Sequence, residues 1–183
     1  VTITAIIYVV LAAKENIWCW VFAIASSSGW AYLNFTVYDL WFDGGLQVFY
    51  VVMAVVGIYQ WKYGSANAEL PITRMRLQQH GIIIGLCLLL GIVFGYFFAA
   101  YTPAAQTFLD AITTVFAIVT TFLVIQKKIE NWLYWIVIDL VYIYIYLQQG
   151  AVLFALIMAI YIPIAVFGYL DWQKKLGKVA ESN

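Results

Sequence analysis

Seven apolar runs separated by short polar breaks set the pattern of this chain. A helix that crosses a bilayer needs about 20 mostly apolar residues. The candidate runs cover roughly 1–13, 17–34, 44–62, 81–100, 107–126, 132–148 and 151–172. The fourth carries no charge from Gly81 to Ala100. The first is short and begins at Val1, not methionine, which reads as a trimmed start. No basic segment and small-residue cleavage pattern mark a signal peptide. The pattern predicts an all-α integral membrane protein of seven transmembrane helices.

The polar breaks test that count. The basic residues are Lys14, Lys62, Arg74, Arg76, Lys127, Lys128, Lys174, Lys175 and Lys178. With seven spans, all of them fall after spans one, three, five and seven, on one side. Asp39, Asp43 and Asp110 lie near the opposite loops. Basic loops mark the cytoplasmic side, so the expected orientation is N-terminus outside and C-terminus cytoplasmic.

Composition agrees. The 183 residues are 66% hydrophobic and 10% charged, with mean hydropathy +0.93. A soluble domain is about 45–50% apolar and about 25% charged, so the bilayer is the expected solvent. The net charge is zero, which gives no reason to expect a nucleic-acid partner. Cys19 and Cys87 lie in apolar runs and read as small core residues. His80, the single histidine, reads as an interfacial residue. No phosphate loop, nucleophile elbow or metal-spaced cluster marks an enzyme, and no cofactor is implied. Without an ATPase domain, direct coupling to ATP needs another protein.

An internal repeat organises the spans. Glu15, Asn16 and Trp20 recur as Glu130, Asn131 and Trp135, 115 residues on. Gly57 and Trp61 recur as Gly168 and Trp172, 111 residues on. In this register Val1 matches Phe116, and a four-residue difference falls between the second and third helix of each unit. The expected plan is a first three-helix repeat (1–64), a loop and connecting fourth helix (65–106), and a second repeat with a cytoplasmic tail (107–183). The fourth helix makes the two repeats parallel. This 3+1+3 arrangement is SWEET-like, a plan used by transporters. In the connector, Gly81–Gly85 and Gly91–Gly95 are small-xxx-small pairs that allow close contact within the chain or between subunits.

Polar groups inside spans should face protein or a water-filled path. In span 6, Asn131, Trp135, Asp139, Tyr142 and Tyr146 are spaced by 4, 4, 3 and 4 residues, which puts them on one helical face. Asp139 lies near mid-depth, where an ionised carboxylate costs roughly 2.5–3.5 kcal/mol. No lysine or arginine lies inside a span to pair with it. One reading gives it a cationic substrate as partner. The other leaves it protonated, or bonded to tyrosine hydroxyls and water, as a structural residue. In span 3, Gln47 and Tyr50 share a face, and Gln47 both donates and accepts hydrogen bonds. Span 2 offers Ser26, Ser27 and Ser28, read as packing residues, then Trp30 and Asn34. Span 5 carries Asp110, Thr113, Thr114, Thr120 and Thr121, a face that either lines the path or bonds back to its own helix. Aromatic residues make up 19% of the chain. Most belong to core or interface belts. The deeper rings of Trp135, Tyr50 and Tyr142 suit stacking on a planar ligand or facing a cation.

The stretch Glu130-Asn131-Trp132-Leu133-Tyr134-Trp135, followed by Asp139, resembles the start of the sixth helix in Pnu-type vitamin transporters. Leu46-Gln47-Val48-Phe49 and Gly57-Ile58-Tyr59-Gln60-Trp61 resemble their third span. The likeness runs from Lys14 to Lys175. It implies facilitated diffusion of a small vitamin, nicotinamide riboside in the best-known members, through a homotrimer in the bacterial inner membrane. It also implies trapping of the vitamin by a cytoplasmic kinase. On this resemblance Gln47, Asn131, Trp132, Trp135 and Asp139 stand near the substrate path. Some members have Asn where this chain has Asp139, and relatives carry thiamine or riboflavin. Both nicotinamide riboside and thiamine are planar cations that suit an acid among aromatics, whereas neutral riboflavin gains less. Two other expectations compete with a facilitator: a substrate-binding subunit that needs an energising partner, and a membrane protein without a transported ligand.

Overall fold

A computed structural model describes residues 1–39, 41–65, 69–100 and 107–181. They form seven helices: α1 (Thr2–Ala13), α2 (Cys19–Thr36), α3 (Trp41–Tyr63), α4 (Leu77–Ala99), α5 (Thr107–Ile125), α6 (Asn131–Gln148) and α7 (Val152–Glu181). The helices follow the apolar runs. α7 continues past the apolar run into the lysine-rich tail. Four helical segments are long and apolar enough to cross a membrane: Trp41–Tyr63, Leu77–Ala99, Phe108–Ile125 and Val152–Lys178. α2 and α6 have 18 residues each but carry polar residues along their length. α1 has 12 residues.

The backbone corrects the repeat register. After α1, the Glu15 amide bonds the Ala12 carbonyl and the Asn16 amide bonds that of Leu11. After α5, the Lys127 amide bonds Val124 and the Lys128 amide bonds Leu123 in the same way. These are paired helix-ending bonds of the Schellman type, with the residue past the helix in the left-handed region. Glu15 (φ 61°) and Lys127 (φ 49°) occupy that position. The true offset is thus 112 residues: Glu15 matches Lys127, Trp20 matches Trp132, and α2 maps onto α6 end to end. Val1 matches Thr113, not Phe116. Because Gly57 and Gly168 keep the offset of 111, the loops between second and third helices differ by one residue, not four.

The packing follows the same correspondence. α2 packs on α1 and α3, as α6 packs on α5 and α7. α1 also packs on α7, and α5 on α3. The first helix of each unit therefore lies against the third helix of the other, and the units interlock. Glycines allow the closest approaches. A Cβ on Gly57 would lie 2.5 Å from the Trp20 ring, and one on Gly168 2.7 Å from the Trp132 ring.

α4 packs along α5 and reaches α3 and α6 through its ends, where Phe98 meets Phe42 and His80 meets Tyr134. A Cβ on Gly91 would lie 2.6 Å from the Ile112 backbone, and one on Gly95 2.5 Å from the Phe108 ring, whereas Gly81 and Gly85 meet nothing within 4 Å. The second glycine pair thus serves contact within the chain. Gly91→Ala is expected to lower stability by about 1–3 kcal/mol through overpacking, while Gly85→Ala leaves it unchanged or raised. Thermal unfolding in detergent checks both, and equal losses would refute this assignment.

The segment before α4 straps the α5–α6 turn. The Thr73 amide donates to the Lys127 carbonyl and the Ile129 amide to the Thr73 carbonyl, each at 3.0 Å. The Met75 amide donates to Glu130 Oε2 at 3.0 Å. His80 stacks on Tyr134 and shares a 2.9 Å hydrogen bond with its hydroxyl. Cys19 and Cys87 are buried.

Candidate functional site

Six helices enclose a cavity of about 380 Å³. The connector α4 contributes none of its described residues. Binding cavities for small molecules run from about 300 to 1,000 Å³, so the volume suits one small planar ligand. The lining follows the repeat. Tyr50 and Tyr161 are equivalent positions that face it, as are Trp20 and Trp132, and Ala54 and Ala165. The chemistry does not follow the repeat. Asp139 stands where the first unit has Ser27, Trp135 where it has Ala23, and Gln47 where the second has Met158. The polar side chains are thus laid asymmetrically on a symmetric scaffold.

Asp139 is 4% exposed. It has no ion pair among the described residues and no lysine or arginine lines the cavity. Trp135, Tyr142, Tyr146 and Tyr161 line the same space. Tyr142 and Tyr146 stack at 5.7 Å, and the Tyr142 hydroxyl lies 3.4 Å from Thr114 Oγ1. Two further carboxylates, Asp43 and Asp110, line the cavity from the first turns of α3 and α5. Both are exposed, so this end forms a negatively charged mouth.

The opposite end is a floor of four tryptophans. Trp20 meets Trp61 edge to face at 5.3 Å, Trp61 meets Trp172 at 6.1 Å, and Trp172 meets Trp132 at 5.5 Å. These separations lie in the favourable range for aromatic pairs, and all four rings are at most 2% exposed. Trp61 Nε1 donates to the Val124 carbonyl at 3.1 Å and Trp172 Nε1 to the Ala12 carbonyl at 3.2 Å. Each unit thus caps the end of the other's first helix. The indole N–H groups of Trp20 and Trp132 have no partner among the described residues.

Of the residues expected at the site, Gln47, Tyr50, Trp132, Trp135, Asp139 and Tyr142 line the cavity. Trp30 and Asn131 do not. Trp30 is half-buried and packs on Phe154 at 6.2 Å. Asn131 opens α6, where its Nδ2 donates to the Lys128 carbonyl at 2.6 Å. It is fully buried, so it shapes the turn beneath the floor. Ser26 and Ser27, read as packing residues, line the cavity, whereas Ser28 is exposed. In α5, Thr121 does both things expected of that face. Its hydroxyl bonds back to the Ala117 carbonyl while the residue lines the cavity. Thr113 bonds back to Leu109. Sequence reasoning missed Tyr8 and Tyr161 and did not bring Asp43 to the site, whereas Asp110 lines the cavity from the α5 face expected either to line the path or to bond back. The Tyr50–Tyr161 equivalence at offset 111 was the available signal.

A bundle of apolar helices around a cavity lined by aromatic and acidic side chains defines a multi-pass membrane protein with a ligand-sized chamber between its repeats. The chain belongs to the nicotinamide mononucleotide transporter family, whose model matches residues 1–174. The family is one of transporters, not enzymes. The chain is similar to the nicotinamide riboside transporter PnuC of Escherichia coli, with 25% identity over 197 residues that cover 93% of this chain and 82% of that one. It is 26% identical to PnuC of Neisseria mucosa over 94% of this chain and 70% of that one. It is 22% identical to the riboflavin/roseoflavin transporter RibM of Streptomyces davaonensis over 93% of this chain and 81% of that one. The fold matches the crystal structure of the vitamin B3 transporter PnuC with a TM-score of 0.77 and 24% identity, covering 97% of this chain and 80% of that one.

Proposed function

We propose that this protein carries nicotinamide riboside across the membrane by facilitated diffusion, binding it between two parallel three-helix units. One observation carries the reading. Asp139 is a buried carboxylate without a partner among the described residues, and it lines an aromatic cavity that contains no base. A buried charge without a partner is strongly disfavoured. A planar cation supplies the missing charge and stacks on Trp135 or Tyr142. Gln47, with both donor and acceptor, suits the ligand's amide. Neutral riboflavin leaves the acid unpaired, which favours a cation over the substrate named for RibM.

In this reading the seven helices form one transmembrane bundle, in which the 12 residues of α1 cover only part of the bilayer's thickness. The basic loops put the C-terminus in the cytoplasm and the mouth at Asp43 and Asp110 outside. The ligand enters past the acids, sits against Asp139, and leaves when the units part at the tryptophan floor. A homotrimer in a bacterial inner membrane is the assembly this reading expects.

Calorimetric titration of the purified protein with nicotinamide riboside, thiamine and riboflavin tests it. Binding of nicotinamide riboside above the other two is the expected result. Thiamine binding alone keeps the cation site and moves the protein to another substrate, and preferential riboflavin binding overturns the role given to Asp139. Uptake of the bound vitamin into liposomes containing only this chain excludes the need for an energising partner.

A further inference from the structure

The floor of the cavity is closed by more than tryptophans. Lys127 Nζ lies 2.7 Å from Glu15 Oε1, and the lysine side chain is almost wholly buried. The ammonium also sits 4.7 Å from the centre of the Trp61 ring, within cation–π reach. Lys175 braces the pair, 3.2 Å from Glu15 Oε2, and donates to the Lys14 carbonyl at 2.8 Å. Among the described residues, every side-chain hydrogen bond or ion pair joining residues 1–64 to 107–181 lies at this end. None lies at the end bearing Asp43 and Asp110.

Glu15 and Lys127 are also the same position of the two repeats. Each follows the first helix of its unit in left-handed backbone, where glycine is the favoured residue. A structural cap alone would be served better by glycine. Instead the two units place opposite charges there, and the charges meet across the boundary between them.

We propose that Glu15 and Lys127 are positioning residues for transport, a charge latch that holds the floor shut and must separate for the ligand to leave. The proposal rests on the transporter reading. The symmetry supplies the mechanism. Any rotation that parts the units at the floor moves the two equivalent turns away from each other, so the bond exists in one state only. An interaction present in one of two states biases their populations by its own strength. Trp61 and Trp172, whose indoles bond the ends of α5 and α1, open with it.

Labelling of a cysteine at Ala23, which lines the cavity, reads the latch without any vitamin. Cys19→Ala and Cys87→Ala remove the native thiols. An impermeant maleimide is applied to right-side-out and inverted membrane vesicles. With the latch intact, labelling from the lysine-bearing side is slow. Glu15→Gln is expected to speed it by about tenfold, the effect of losing a charge-assisted bond from one state. Lys127→Arg, which keeps the charge, is expected to remain slow. A fall in melting temperature with unchanged labelling from that side would make the pair mere packing and overturn the proposal. If Glu15→Gln does not fold, Lys175→Met removes only the brace and gives a smaller rise by the same readout, and no rise there overturns the proposal equally. Since no vitamin is used, a wrong substrate leaves this result standing.

Discussion

Asp139→Asn is expected to weaken binding of the proposed substrate, nicotinamide riboside, by about 10- to 100-fold, while the empty protein is expected to melt at the same or a higher temperature. Hydrogen bonds and contacts to a charged group are worth about 1.5–3 kcal/mol, which gives the first number. The second result follows from burial. The carboxylate is 4% exposed and has no partner among the described residues. Burying an acid without a charge partner gains the empty protein nothing, so a neutral amide of the same shape keeps its stability or raises it. A structural role gives the opposite signature, a lower melting temperature with affinity unchanged. Titration and thermal unfolding of the same preparation separate the two. The reduced, uncharged form of the ligand is the control: its affinity should barely respond to the substitution.

The second large effect concerns the floor. Gly57→Ala and Gly168→Ala are each expected to destabilise the protein by about 1–3 kcal/mol, the range for forcing extra carbon into a packed core. The new methyl would lie 2.5 Å from the Trp20 ring or 2.7 Å from that of Trp132. Neither ring can swing aside, because Trp61 and Trp172 pack against them at 5.3 Å and 5.5 Å. Gly45, with nothing within 4 Å, is the control. Gly45→Ala should be neutral or slightly stabilising, since alanine is the better helix former. The two floor substitutions act on one row of rings, so their combined effect should depart from the sum. Losses no greater than that of Gly45→Ala would show that the tryptophan row yields easily.

Which helices exist, and which faces matter, was legible along the chain. Apolar length alone marks the spans, because a bilayer demands it. The stripe on α6 was legible because helical spacing converts sequence distance into direction. The repeat was legible in kind but not in register. Matching Glu15, Asn16 and Trp20 to Glu130, Asn131 and Trp135 slips the units by three residues. Three residues is nearly one helical turn, so the wrong register keeps almost the same face inward and betrays itself little. The paired helix-ending bonds at Glu15 and Lys127 decide it, and the matching ends of α2 and α6 agree.

By itself, then, the sequence determined a helical membrane protein with two related units and an acid at mid-span, since hydropathy and periodicity are local properties. Tertiary structure decided what meets what. It brought Asp43 and Asp110 to one mouth and set Tyr161 across from Tyr50. It put Trp30 against Phe154 and Asn131 beneath the floor, and it joined Glu15 to Lys127 across 112 residues. Those pairings depend on how the first helix of each unit docks on the third helix of the other. No window of sequence holds both partners, so no local pattern could reveal them.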